Sequence, residues 1–261
     1  MKQIPKTALI TGATSGIGLE LAKLFAKDKY NLVIVSRDQS SLDVTKKMLE
    51  DDYSISVITI CQNLSEKNSA QTIYETTKSK GISIDALVNN AGIGVYGLFK
   101  NTDLKKETAM IELNVAALTT LTKLFLPEML NKRAGKILNV ASTAAFQPGP
   151  GMAVYFATKA YVLSFSETLH EELRGTGVSV TTLCPGPTKT NFDVSAGAQK
   201  AKIFTGRGIM TAKTVAQIGY DAMMKNKMTV VAGFKNAIFV FLVRLTPRQI
   251  VPRIVRWIQG E

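Results

Sequence analysis

Apolar residues along this chain fall into short unbroken runs, and longer amphipathic stretches separate them. Lys6-Thr-Ala-Leu-Ile-Thr11, Asn31-Leu-Val-Ile-Val-Ser36, Ile55-Ser-Val-Ile-Thr-Ile60, Ile84-Asp-Ala-Leu-Val88, Lys136-Ile-Leu-Asn-Val-Ala141 and Val178-Ser-Val-Thr-Thr-Leu183 have strand length. Runs this continuous are typical of strands covered on both faces of a parallel sheet. Between them, Leu19 to Ala26, Ser41 to Asp52, a segment from a Ser65 cap through Lys78, Lys105 to Asn131 and about Met152 to Arg174 carry helical period. Pro127 predicts a kink or break in the longest of these. Strands alternating with helices about every 20 to 30 residues predict one doubly wound α/β domain over 1–261, a parallel sheet with helices on both faces. No internal repeat, linker or low-complexity segment interrupts it.

The first run ends in Gly12-Ala-Thr-Ser-Gly16-Ile-Gly18, and a helical stretch follows at once. Strand, glycine-rich turn and helix, in that order, suit the pyrophosphate of a dinucleotide. The glycines let the backbone come close, and the helix start offers N–H donors with a partial positive charge. Gly12, Thr14, Ser15, Gly16, Ile17 and Gly18 are therefore candidate cofactor contacts, and the domain is expected to be Rossmann-type. The spacing is Gly-x-x-x-Gly-x-Gly, not the general Gly-x-Gly-x-x-Gly. Asp38 lies about 20 residues past the last glycine, where an acid would select NAD. The apolar run stops at Val35, however, so Ser36 and Arg37 take the strand end facing the ribose. A guanidinium there would pair with a 2′-phosphate, so NADP(H) is expected over NAD(H).

Tyr155 and Lys159 are four apart, and a helix would bring both side chains to one face. A phenol titrates near pH ~10 in water, and a nearby ammonium favours its phenolate, so Tyr155 is expected to be acidified into a general acid or base. Ser142 follows the run ending at Ala141, which puts its hydroxyl at a strand's carboxyl end, where open α/β sheets bind ligands. Alone, such a pair would be an ordinary surface contact; the glycine turn upstream gives it a cofactor to work with.

Composition narrows the class further. At 261 residues, with 46 % hydrophobic and 20 % charged, the chain can bury a large core and is not disordered. The longest apolar run, Ala237 to Val243, has seven residues; a bilayer span needs ~20. Met1 to Lys6 leads straight into the first strand, so no signal peptide is expected. Cys61 and Cys184 with a single histidine make neither a zinc site nor a disulfide framework, so no metal and a reduced, cytoplasmic protein are expected. The net charge of +12 is uneven: Pro187 to Glu261 holds 12 Lys and Arg against 3 Asp and Glu. That surface would greet an anionic substrate or a membrane, or is simply solvated; no nucleic-acid motif accompanies it.

These motifs together resemble the short-chain dehydrogenase/reductase family. The matching elements are Thr11-Gly12-x-x-x-Gly16-x-Gly18, Asn89-Asn90-Ala91-Gly92, Asn114, Ser142 with Tyr155-x-x-x-Lys159, and Pro185-Gly186-x-x-x-Thr190. The resemblance implies that Tyr155 exchanges a proton with the substrate oxygen while Ser142 orients that oxygen. Lys159 would lower the pKa of Tyr155 and hold the nicotinamide ribose, and Asn114 would position a water linking Lys159 to solvent. Thr188 and Thr190, after Pro185 and Gly186, would hold the carboxamide, and Asn90 would contact the adenosine side. Asn63, next to Leu64, stands where the family usually has Asp beside the adenine; its amide can still accept from the adenine amino group. Family tetramers often end in a strand followed by Asp-Gly-Gly. Here Met228-Thr-Val-Val-Ala-Gly233 leads into an apolar, basic extension instead. A homodimer through the helices containing Asn114 and Tyr155 is expected in place of that tetramer.

The stretch 190–211 resembles the family's substrate lid. The extension over 234–261 mixes aromatics and aliphatics with Arg244, Arg248, Arg253 and Arg256, and Thr246-Pro247 looks like a helix start. It is expected to wall an apolar substrate pocket, with peripheral membrane contact as the alternative. His170 is assigned no chemistry, and for Tyr161 and Trp257 the sequence does not decide between pocket and interface. The expected function is NADPH-dependent reduction, or the reverse dehydrogenation, of an apolar ketone or secondary alcohol, with a fatty-acyl or carrier-linked substrate attractive. The alternatives are a non-catalytic NADP(H)-binding regulator and a membrane-peripheral lipid carbonyl reductase.

Overall fold

The computed structural model describes residues 5–198 and 209–259. Its strands are β1 (Thr7–Thr11), β2 (Asn31–Ser36), β3 (Val57–Cys61), β4 (Ala86–Asn89), β5 (Gly135–Val140), β6 (Val178–Cys184), β7 (Thr188–Lys189), β8 (Met210–Thr211) and β9 (Thr229–Val231). Seven of them form a parallel sheet in the order β3-β2-β1-β4-β5-β6-β9, while β7 and β8 pair only with each other. The helices are α1 (Gly16–Lys27), α2 (Gln39–Tyr53), α3 (Ser69–Ser79), α4 (Leu104–Ile111), α5 (Leu118–Asn131), α6 (Ala153–Glu172), α7 (Phe192–Ser195), α8 (Ala212–Met224), α9 (Phe234–Leu245) and α10 (Val251–Gln259).

The sheet is dry on both sides, as its unbroken apolar runs require. On one face Ile10, Ile34 and Val88 pack with Leu21 and Phe25 of α1, Leu42 of α2 and Tyr220 of α8. On the other, Leu9, Val33 and Leu87 pack with Ile73 of α3, Phe125 of α5 and Leu173 just past α6. The result is a single Rossmann-type domain. The chain steps outward from β1 to β3 and then returns to β4 on the opposite side of β1. Two crossovers therefore diverge above β1 and β4, and a crevice opens there at the strands' carboxyl ends.

Several local expectations shift. Ser65 does not cap α3, whose N-cap is Asn68. The Asn63 side chain accepts from the Ser65 N–H at 3.1 Å, and the turn it forms uses up the residues before the helix. The long helical pattern is present, but its irregularity falls at Asn114 and not at Pro127. Glu112–Ala117 is a π-helical turn joining α4 to α5, whereas Pro127 sits inside α5. The joined run Leu104–Asn131 is long and apolar enough to cross a bilayer, yet Leu113, Leu121, Phe125 and Met129 bury one side of it on the sheet. Thr246 ends α9 instead of starting a helix, and α10 begins at Val251 with Pro252 in its first turn. The expected lid over 190–211 lies partly outside the described residues; its described parts hold α7 and β8.

One contact fixes how α1 meets the crevice. Gly18 packs so closely that a Cβ there would overlap the Gly12 carbonyl oxygen and the Asn90 amide. Gly18→Ala is expected to lower the free energy of urea unfolding by about 2–3 kcal/mol. Unchanged stability would show that α1 can slide away from the turn.

Candidate active site

The crevice is a cavity of about 500 Å³. At its β1 end, Gly12 and Gly16 take positive φ values of 66° and 55°, a backbone shape that a side chain disfavours. Thr14, Ser15, Gly16 and Ile17 line the cavity there. Ser15 is the N-cap of α1 but makes no side-chain capping bond, so the first N–H groups of the helix are left for a ligand. Gly18 does not reach the cavity and acts by packing alone. Thr11 ties the neighbouring strand in: its hydroxyl donates to the Val88 carbonyl at 3.3 Å and accepts from the N–H groups of Asn90 and Ala91, each at 3.0 Å.

Asn90 lines the crevice, but its amide donates to the carbonyls of Thr11 at 2.9 Å and Gly12 at 3.2 Å, so it holds the turn in shape. At the far corner stand Ser36, Arg37, Asn63 and Leu64, with Gln62 and Ser65 beside them. The Ser36 hydroxyl is 3.2 Å from that of Thr14. Asp38 lines this corner as well, but its carboxylate caps α2. It accepts from the Ser41 N–H at 2.9 Å, the Ser40 hydroxyl at 3.0 Å and the Ser41 hydroxyl. Those bonds, from Ser41 above all, hold its pKa below the ordinary value. Arg37 is exposed and has no ion-pair partner among the described residues.

The opposite end carries the candidate chemistry. Ser142, just beyond β5, accepts from the Ala144 N–H at 3.1 Å and lies 3.4 Å from the Pro185 carbonyl, a long contact that leaves its proton loosely held. Tyr155 and Lys159 share the buried face of α6, only 9 % and 5 % exposed. The Lys159 ammonium stands over the Tyr155 ring, 5.9 Å from its centroid, and donates to the Val140 carbonyl at 2.9 Å. A Cβ built on Gly92 would lie 3.3 Å from both the Lys159 Nζ and the Asn114 Oδ1, so three elements converge at that point. Asn114 sits in the π turn. Its Oδ1 accepts from the Ile93 N–H at 3.1 Å, and its Nδ2 donates to the Ile93 carbonyl at 3.0 Å and the Thr158 hydroxyl at 3.1 Å. Pro185, Gly186, Thr188 and Thr190 fold over the mouth, with the Thr190 methyl 3.1 Å from where a Gly16 Cβ would be.

The electrostatics overturn one expectation. Tyr155 is not acidified: burial pushes its pKa up to about 12, and a hydrogen bond with Ser142 recovers only part of the shift. Desolvation opposes a phenolate more strongly than an ammonium over the ring face favours it. Burial also brings Lys159 down to about 8, so the amine is the easily titrated member of the pair. Cys184 offers Lys159 little charge, because burial holds its thiol up at about 12.

Gln147, Met152, Phe156 and Phe192 also line this end, and no motif points to them. Phe192 lies 5.4 Å from Tyr155, ring centre to ring centre, and the Gln147 Oε1 is buried without a partner. Met152 and Phe156 flank Tyr155 in sequence, which is the one signal that could have found them. The crevice fits a dinucleotide: glycine turn and uncapped helix at one end, a basic corner beside it, a proton-carrying pair at the other.

Residues 6–201 match the family model for short chain dehydrogenase. The chain belongs to the short-chain dehydrogenase/reductase family. It is 34 % identical over 259 residues to the ketoacyl reductase HetN of Nostoc sp., covering 97 % of this chain and 88 % of that one. The NADP-dependent 3-hydroxy acid dehydrogenase of Schizosaccharomyces pombe is 32 % identical over 234 residues, 87 % of this chain and 90 % of that one. Among solved structures, a short-chain dehydrogenase from Sphingobium yanoikuyae in complex with NADPH superposes with a TM-score of 0.83 at 29 % identity, covering 92 % of each chain. One from Burkholderia phymatum in complex with NAD gives a TM-score of 0.83 at 25 % identity, covering 93 % of this chain and 94 % of that one. This short-chain dehydrogenase is thus an NAD(P)-dependent oxidoreductase acting on CH–OH and C=O groups, and the non-catalytic regulator gives way.

The buried amine makes stability depend on pH. The native pKa of Lys159, about 8, is below its ordinary 10.5, so the unfolded chain binds more protons between those values. Wild type should therefore gain about 2–3 kcal/mol on Lys159→Met as pH rises through that window, measured by urea unfolding. A pH-independent difference would mean that the amine is not desolvated.

Proposed function

We propose that the enzyme uses NADPH to reduce the ketone of an apolar, acyl-chain substrate. One observation carries the reading. Tyr155 holds its proton at neutral pH and presents it, beside the Ser142 hydroxyl, to a wall built from Met152, Phe156 and Phe192. A protonated phenol suits donation to a carbonyl oxygen, whereas alcohol oxidation needs the phenolate that burial disfavours. Reduction thus draws on the protonated phenol present at neutral pH, and the rate of oxidation should rise with pH.

Bound along the crevice, reduced nicotinamide would supply the hydride. The chain's own residues do the rest. Ser142, whose hydroxyl is loosely held, turns its proton towards the substrate oxygen and orients it for Tyr155. As the phenol gives up its proton, charge develops over a ring faced by the Lys159 ammonium, which stabilises the phenolate as it forms. An ammonium near 8 can then reprotonate a phenolate near 12, so Lys159 recharges the acid. Asn114 holds the Gly92–Ile93 loop against that ammonium; the water-positioning role stays part of this proposal. Thr188 and Thr190, at the mouth, are suited to the carboxamide.

The preference for NADPH rests on the β2 corner, where the Arg37 guanidinium is unpaired among the described residues and the Asp38 carboxylate is occupied as a cap. The relatives named for ketoacyl and 3-hydroxy acid chemistry support a 3-oxoacyl chain, free or carrier-linked, as the substrate. A homodimer is supported by the exposed Leu104 and Ile111 of α4 and Tyr161 of α6. Free thiols at Cys61 and Cys184 support a cytoplasmic site of action. Val243, Val251 and Val255 pack behind Tyr155 and Phe156, which supports the extension as the second layer of the substrate wall.

NADPH oxidation with 3-oxoacyl thioesters tests the reading. Tyr155→Phe should cut kcat by about 10³ while NADPH still binds; a variant that keeps wild-type kcat would remove Tyr155 from the reaction. Arg37→Ala should raise the NADPH KM by about tenfold or more and leave NADH unchanged. Equal changes for both cofactors would take the 2′-phosphate away from Arg37.

A further inference from the structure

We propose that the outward faces of α9 and α10 form a docking surface for an anionic lipid bilayer. This goes beyond the proposed reaction and does not depend on it. A helix on a water-facing surface turns its apolar stripe inward. α9 does the reverse. Phe234, Ile238, Phe241 and Leu245 recur at three- and four-residue spacing along one exposed stripe, with Leu242 beside them. Phe234 is 81 % exposed and Leu245 67 %, while Val240 is the one buried residue of the helix. α10 uses Val251 and Val255 to hold on to the domain, and repeats the pattern outside with Ile254 and Trp257, preceded by Ile250. Trp257 is 79 % exposed.

Charge decides what covers these faces. From Ala222 to Gly260 there is no Asp or Glu, while Lys225, Lys227, Lys235, Arg244, Arg248, Arg253 and Arg256 all lie there. Among the described residues none of these cations has an ion-pair partner. A second copy meeting this surface about a two-fold axis would bring basic face to basic face. An anionic bilayer complements both features: phosphates attract the cations, which can snorkel past the apolar stripe, and the headgroup boundary accepts Trp257 with the aliphatics. The place also has a use. α9 packs on the Thr143–Phe146 turn next to Ser142, and Val243, Val251 and Val255 join the cluster containing Tyr155. The docked face is thus the back of the substrate wall.

The test is sedimentation with vesicles of phosphatidylcholine alone or with about one-third phosphatidylglycerol. The wild-type chain should pellet with the anionic vesicles only, and about tenfold less at ~0.5 M salt. Trp257, the one tryptophan in the chain, reports insertion by a blue shift in emission. Phe241→Glu with Leu245→Glu should lose at least about tenfold in vesicle affinity and keep turnover of a water-soluble ketone. Failure of the wild type to pellet, or pelleting that the double variant leaves intact, would overturn the proposal. So would a Trp257 emission that is already blue without lipid and reddens on dilution, since a protein partner would then cover the stripe. Pelleting without any turnover would sink the catalytic reading and leave the docking surface standing.

Discussion

The structure turns on the burial of an amine and a phenol in one dry corner. Lys159 and Tyr155 lie on the inward face of α6, and the amine donates to the Val140 carbonyl. Water would stabilise the charged form of each group, and burial on the inward face of α6 removes it. Each group is then pushed towards its neutral form: the phenol up, the amine down. Acid chemistry at neutral pH becomes natural for Tyr155, and its lysine, the stronger acid of the two, becomes the group that returns the proton. The cost is borne by the scaffold, which must bury a cation. The π turn around Asn114 belongs to that scaffold, since it brings the Asn114 amide to the Ile93 backbone, right beside the lysine.

A second constraint sets the other end of the crevice. Gly12, Gly18 and Asn90 meet so closely that α1 can point only one way, with its uncapped start on the cavity. Thr11 and Asn90 cross-link β1 to β4 at the switch point. The glycine turn is thereby tied to the sheet itself.

Much of this was legible in the residues, for identifiable reasons. Strands such as Leu32 to Val35 are covered on both faces, so they appear as unbroken apolar runs, and their alternation with helices dictates a parallel sheet. The glycine turn and the Tyr155–Lys159 spacing are local and could be read directly. What escaped is tertiary. The acidifying effect expected of Lys159 held for groups in water, and sequence does not record how dry the corner is. The π turn at Glu112–Ala117 contains no Gly or Pro, so Pro127 drew the expectation of a break instead. Asn63 spends its side chain on its own turn, which delayed α3 past Ser65. Gln147 and Phe192 reach the cavity only because separate segments fold together, and Asp38, although it lines the ribose corner, has its carboxylate occupied by Ser40 and Ser41 at the start of α2.

The desolvated phenol is the claim on which the proposed chemistry rests, and it can be watched directly. Tyrosines labelled with ¹³C at Cζ, with the Tyr155 resonance assigned by its disappearance in Tyr155→Phe, report ionisation residue by residue. In the cofactor-free protein Tyr155 should stay protonated at pH ~10, where water-exposed phenols are half ionised. Half-ionisation of Tyr155 at about pH 8 or below would contradict the account, because the lysine would then outweigh burial.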